Sequence, residues 1–326
     1  MSETAPFSVG VIGVGSMGRH HARVYHELPI AELVGIHDVD TDRAREVATD
    51  NNSRALPLPD LLAEADAVSV AVPTEYHEDL VRTCIDAGVD VLVEKPITGD
   101  PETGRELVDM AEEAGVRLHV GHVERFNPAV TALTEMIGEL SPVALSARRL
   151  GPPPGRDIAD GPVTDLMIHD IDVLLSLFDE PSEVTAAYAN GHPHVSAQLR
   201  YDDGFLATLT ASRASQKRVR ELELTAEECT VSLDYTDQSI RIHRRTVPEY
   251  VQQNGDVRFR NRSVVELPTI DSVEPLKEEL STFIEACATG EDHPVSGEDG
   301  LRALKMARRI QRAAAADDAS RPEVSR

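Results

Sequence analysis

The chain has 326 residues, a length that suits two domains, and its 32 basic against 57 acidic side chains leave a net charge of −25. Such a surface repels nucleic acid and anionic lipid, so neither is an expected partner. Nowhere does an apolar run approach the roughly 18–20 residues of a membrane span.

The elements alternate from the start. Short β-rich runs at Val9–Val14, Leu33–His37, Ala67–Val72, Val89–Val93 and Leu118–Gly121 are interleaved with helical spacing at Arg19–Glu27, Asp42–Asp50, Leu58–Glu64, Tyr76–Asp86 and Pro101–Glu113. Strand–helix alternation predicts right-handed crossovers and a doubly wound parallel sheet, a Rossmann domain over 1–126.

The first strand runs into Gly13-Val14-Gly15-Ser16-Met17-Gly18, a G-x-G-x-x-G. Gly13 allows a tight turn, Gly15 lets backbone approach a pyrophosphate, and Gly18 lets the helix pack on the strand. The amides of Ser16 and Met17 then face the phosphates. Asp38 stands 20 positions past Gly18, where an acid accepts hydrogen bonds from the adenine-side ribose. No arginine directly follows it and Asp40 is close, so the expected cofactor is NAD rather than NADP.

Past Asn127-Pro128 the texture changes. A helix is expected over Ala129–Met136, a strand over Val143–Leu150, a breaker at Gly151-Pro152-Pro153-Pro154-Gly155-Arg156, and a helix over Val163–Phe178. Strands follow at Val184–Ala189, Val195–Tyr201, Phe205–Ser212, Arg218–Thr225, Thr230–Tyr235, Ser239–Arg244 and Val257–Leu267. Helices over Pro275–Ala288 and Gly297–Ala315 close a second α/β domain, 127–316, with a mostly antiparallel open sheet; 317–326 reads as a flexible tail. A flat open sheet exposes apolar surface unless paired, which points to a homodimer or homotetramer.

Composition adds two expectations. Three widely spaced cysteines, Cys84, Cys229 and Cys287, and a start without a basic, apolar leader suit the cytoplasm. Four lysines against 28 arginines, with acid spread along the whole chain, look like adaptation to high salt. None of the histidines couples to a carboxylate at a recognised zinc spacing, so no metal is expected.

Further motifs carry a resemblance. Val72-Pro73-Thr74 with His77, Val93-Glu94-Lys95-Pro96, Gly121-His122-Val123-Glu124-Arg125-Phe126-Asn127-Pro128, and Asp165-x-x-x-His169-x-x-Asp172 resemble the glucose–fructose oxidoreductase / inositol dehydrogenase (Gfo/Idh/MocA) family from Phe7 to about Ala315. The resemblance implies hydride transfer to NAD from a secondary alcohol. It also implies that Lys95 is a catalytic acid/base or polarising residue oriented by Glu94, and that Pro73, Thr74, His77, Glu94 and Asn127 lie on the cofactor side. His169 and Asp165 lie by the reacting hydroxyl. Chemistry agrees: such oxidation requires a base at the hydroxyl proton. Lys95 ends a strand at the sheet's carboxyl edge, and Asp165, His169 and Asp172 at i, i+4, i+7 would share one helix face.

Segments 121–130, 146–156 and 165–173 resemble the family's sugar-nucleotide dehydrogenases. They imply oxidation of the 3-hydroxyl of a UDP-N-acetylhexosamine, with Arg148, Arg149 and Arg156 as pyrophosphate clamps and Asp172 on the sugar. An inositol or free-sugar dehydrogenase, or an NAD-binding regulator, is the alternative.

Overall fold

The computed structural model describes residues 6–153, 155, 161–189, 191–245, 249–253, 256–260 and 263–320. The chain opens with β1 (Phe7–Ile12), α1 (Ser16–Glu27), β2 (Ala31–His37), α2 (Thr41–Asp50), α3 (Leu58–Glu64), β3 (Ala67–Val70), α4 (His77–Asp86), β4 (Asp90–Glu94), α5 (Pro101–Ala114) and β5 (Leu118–Gly121). The five strands form one parallel sheet in the order β2-β1-β3-β4-β5. β3 and β5 are buried at every position, as strands between two helical layers are, and each carries one buried polar residue, Ser69 and His119. Local chemistry sets the helix ends. Asp40 and Asp100 cap α2 and α5 through the amides of Arg43 and Thr103, Pro101 takes the first helical position, and Gly115 stops α5 at φ 68°.

The order reverses at β1, which pairs β2 on one side and β3 on the other. The loops after β1 and β3 therefore adjoin at the carboxyl edge, where open parallel sheets bind ligands. The segments after β4 and β5 emerge at the same edge.

The second stretch comprises α6 (Pro128–Ile137), β6 (Pro142–Leu150), a π turn over Val163–Met167 and α7 (Ile168–Leu177). Among the described residues nine strands follow: β7 (Glu183–Tyr188), β8 (His194–Arg200), β9 (Leu206–Ser212), β10 (Val219–Ala226), β11 (Cys229–Asp234), β12 (Ser239–Arg245), β13 (Glu249–Gln253), β14 (Asp256–Arg260) and β15 (Ser263–Glu266). Eight strands make one sheet, β15-β12-β11-β10-β6-β9-β8-β7, antiparallel throughout except for β6 beside β9. Period-2 alternation buries Leu145, Ala147, Leu209, Leu222 and Leu233 on one face.

Several expectations need correction. The other sheet face is not apolar: Ser146, Arg148, Gln198, Thr208, Thr210, Glu221 and Ser232 occupy it, none of them buried. The single strand read at Val257–Leu267 is two strands in different sheets. β14 pairs with the unforeseen β13, and β15 pairs with β12. The sequence between β13 and β14 is Asn254-Gly255, the strongest short hairpin signal. The helix expected over Val163–Phe178 opens as a π turn.

Two helices finish the chain, α8 (Pro275–Thr289) and α9 (Gly297–Ser320). The last helix runs through four alanines to Ser320, into the segment read as a tail. The chain forms two compact units. One takes the residues up to Phe126 and Val273–Met306, the other Asn127–Ser272 and the residues from Ala307 on. The reading that everything past Phe126 is second domain is thus corrected: α8 lays Leu276, Leu280, Phe283 and Ile284 into the same core as Tyr25, Val24 and Leu92. Arg23 of α1 is also ion-paired with Glu274 just before α8.

Candidate active site

In the first unit the glycine turn has the geometry its three roles require. Gly13 sits at φ +85°, and a Cβ there would meet Val72 Cγ1 at 2.4 Å. A Cβ on Gly18 would fall 1.8 Å from the Gly13 carbonyl oxygen, so only glycine lets α1 start this close to the turn. Gly15 has nothing within 4 Å of its would-be Cβ; its surroundings are open for an approaching phosphate. No side chain caps α1, which leaves the first-turn amides, including exposed Ser16 and Met17, facing outward for an anion.

Asp38 lies beside this turn, 6% exposed. Its carboxylate accepts from Val14 N at 2.7 Å, Asp40 N at 2.8 Å, and Arg43 Nη2 and Nε at 2.7 and 3.2 Å. Burial works against the charge, but Arg43 and the two amides outweigh it and hold the carboxyl below its ordinary range. The residues present fit a dinucleotide: an open glycine turn, uncapped amides and a fixed acid. Arg43 escaped the sequence reading because it is five positions on. It reaches Asp38 only because α2 starts at the Asp40 cap.

The Glu94-Lys95-Pro96 segment leaves β4 at the same edge, through a cis Lys95–Pro96 peptide. Glu94 is 12% exposed; its Oε1 accepts from His21 Nε2 at 3.0 Å and its Oε2 from the Lys95 backbone N–H at 3.3 Å. Burial raises its pKa, yet the His21 hydrogen bond and the nearby charge of Lys95 hold it below the usual range, so Glu94 is a carboxylate. A Cβ on Gly121 would come within 3.3 Å of that carboxylate, so glycine there keeps its place. His21, fully buried on α1, was not anticipated. Its signal was a histidine on the helix face that packs inward.

His77, expected on the cofactor side, is buried between two loops. Its ring is 1% exposed, with Nδ1 2.9 Å from the Pro96 oxygen and Nε2 3.0 Å from the Val72 oxygen. It braces the loop after β3 against the loop after β4. Burial pushes its pKa down, and a neutral ring donates to one of those carbonyls at a time. Pro73 is exposed and Thr74 half-buried where a short 3-10 turn begins, in the loop after β3.

In the second unit the placements divide. Asp165 lies in the π turn and accepts from Arg213 Nη2 at 2.6 Å; His169 follows, half-buried, in the first turn of α7, and Asp172 is 2% exposed. The π turn interrupts the continuous α-helix on which a shared face for the three was expected. Arg148 and Arg149 do not act as a pair. Adjacent strand residues point to opposite faces. Arg148 is on the open face, 3.9 Å from Glu221. Arg149 is buried, bonded to Asp170 at 2.9 and 3.1 Å with its guanidinium 4.9 Å from the Tyr235 ring centre. The clamp role expected of Arg149 is corrected to a core ion pair. Arg156 lies outside the described residues. Asn127, expected on the cofactor, caps α6 through Ala129 N at 3.1 Å and donates to the Tyr235 oxygen at 3.0 Å.

Known proteins match along almost the whole chain. A family profile described as "Oxidoreductase family, NAD-binding Rossmann fold" covers residues 7–122, and one described as "GFO/IDH/MocA C-terminal domain" covers 135–232. The chain is 35% identical over 311 residues to the UDP-N-acetylglucosamine 3-dehydrogenase of Acidithiobacillus ferrooxidans, covering 93% of this chain and 95% of that one. It is 28% identical over 319 residues to the inositol 2-dehydrogenase of Rhizobium meliloti, covering 91% and 94%. A crystal structure of the Acidithiobacillus enzyme superposes with a TM-score of 0.85 at 33% identity over 96% of this chain and 99% of that one. Levoglucosan dehydrogenase in complex with NADH shares the fold at TM-score 0.81 and 19% identity, over 96% and 98%. The chain belongs to the GFO/IDH/MocA oxidoreductase family, as an NAD-dependent dehydrogenase acting on CH–OH groups.

Proposed function

We propose that this enzyme oxidises the 3-hydroxyl of UDP-N-acetylglucosamine to a 3-keto sugar nucleotide. The observation that carries the reading is similarity along 93% of the chain to a dehydrogenase of that name, with the Glu94-Lys95-Pro96 and Asp165-x-x-x-His169 segments present. NAD supplies the hydride acceptor when bound. The Gly13–Gly18 turn holds its pyrophosphate through backbone amides, and Asp38 holds the adenine-side ribose. Lys95, at the carboxyl edge beside the Glu94 carboxylate, or His169 takes up the hydroxyl proton. Asp165 orients the sugar or His169.

NADH formation against a panel of UDP-sugars, inositols and free hexoses in high salt tests the substrate. Turnover of inositols but of no UDP-sugar would favour the alternative, which the Rhizobium relative supports. Lys95→Met should lower kcat at least about 100-fold while NADH binding persists; full turnover in that variant refutes the role of Lys95. Three cysteines, all free, suit a cytoplasmic enzyme. A homodimer or homotetramer would use the outer strand β15, where Val264 and Val265 are 41% and 46% exposed; light scattering measures it.

A further inference from the structure

Asp165 and Arg213 meet within the second unit, and both roots are fixed. The Asp165 N–H donates to the Gly161 oxygen at 3.0 Å as the π turn begins. Arg213 leaves β9 directly. Its own N–H donates to the Pro193 oxygen at 2.9 Å, and the oxygen of its neighbour Ser212 accepts from Gly151 N at 2.9 Å. The arginine is thereby pinned to the residue before β8 and, through Ser212, to the residue after β6. From that root Nη2 reaches Asp165 Oδ2 at 2.6 Å, with side chains 11% and 24% exposed. A charge-assisted bond this short, partly shielded from water, holds direction as well as charge.

A comparison with the neighbouring pair shows what is distinctive. Arg149 of β6 holds Asp170, five residues further along, and both side chains are 2% exposed. That pair is closed off and serves packing. Asp165 keeps a quarter of its surface, so an acid held from behind by a guanidinium is still reachable from solvent. We propose that Arg213 is a positioning residue for Asp165: its planar guanidinium fixes the orientation in which that carboxylate meets the reacting sugar. The inference rests on the assignment of Asp165 to the reaction site made above.

The test uses the full-length enzyme with NAD and UDP-N-acetylglucosamine, comparing Asp165→Asn, Arg213→Met, Arg213→Lys and the double variant Asp165→Asn/Arg213→Met. Arg213→Met should lower kcat roughly 10- to 100-fold, with KM for the sugar nucleotide within about threefold. Lysine keeps the charge but not the planar fork, so Arg213→Lys should recover part of the loss and stay roughly fivefold below wild type with an unchanged unfolding midpoint. If Arg213 acts through Asp165, adding Arg213→Met to Asp165→Asn changes kcat by less than about twofold. Wild-type kcat in either Arg213 variant overturns the proposal, as does a full multiplicative loss in the double variant. Wild-type turnover in Asp165→Asn would instead overturn the assignment of Asp165, so the two failures are told apart.

Discussion

Replacing Asp38 with alanine should reverse the enzyme's choice between NAD and NADP. The carboxylate now organises Val14 N, Asp40 N and the Arg43 guanidinium. Two ribose hydroxyls donating to it contribute about 1.5 kcal/mol each, so their loss weakens NAD by about 3 kcal/mol, or roughly 150-fold in Kd. A 2′-phosphate gains from the same change, because a repelling charge disappears and Arg43 loses the partner that engages it. One unit-charge pair near a protein surface is worth about 4 kcal/mol at ~4 Å; with Arg43 37% exposed, about half of that survives, a gain of roughly 30-fold. The NAD-to-NADP affinity ratio should therefore swing by roughly 4,500-fold, between three and four orders of magnitude. Fluorescence titration with NADH and NADPH reads both constants directly. A ratio that moves by less than about threefold would refute the ribose assignment and the latent role of Arg43 together.

Three further outcomes test the frame around the site. His119 is pushed down to about 3 by burial, by neighbouring His293 and by Arg117, against a Val295 hydrogen bond that works the other way. The unfolded chain takes that proton near pH 6.5 and the folded one only near 3, so stability present above 6.5 is lost as pH falls, at about 1.4 kcal/mol per unit. Unfolding midpoints between pH 7 and 5 should drop steeply, and less so in His119→Gln; a flat profile contradicts this. Gly18→Ala, whose Cβ would overlap the Gly13 oxygen, should cost at least about 2 kcal/mol in urea unfolding, whereas Gly15→Ala should leave stability intact and weaken only NADH binding. Equal stability of the two variants would show that the turn is looser than described. Asp170→Ala leaves Arg149 charged and buried and should cost about 3–5 kcal/mol in urea unfolding, much of it regained in Arg149→Met/Asp170→Leu; a cost near zero would remove the ion pair from the core.

Local pattern was enough for the first sheet. Its strands are apolar and short, its helices carry caps such as Asp100-Pro101, and the observed spans differ from the expected ones by only a few residues. What escaped is what only tertiary proximity creates. Arg43 reaches Asp38 around a helix start, His21 finds Glu94 between an α1 position and a strand end, and Arg213 finds Asp165 across 48 residues. The Arg148–Arg149 expectation failed for a reason already present in the sequence, since neighbours on a strand cannot share a face. The π turn at Val163 was hidden because a five-residue change of helical pitch leaves no composition signal. The antiparallel pairing of β13 with β14 had its signal in the sequence Asn254-Gly255.

The cofactor-binding unit is written in two instalments. Leu276, Leu280 and Phe283, which complete the core around Tyr25 and Leu92, are translated only after residues 127–272 of the second unit have been made. While the ribosome works through the intervening 146 residues, 127–272, the nascent Rossmann sheet must wait with one flank of α1 bare. A gene cut at the apparent domain boundary would therefore yield a sticky half-core rather than a free-standing nucleotide module.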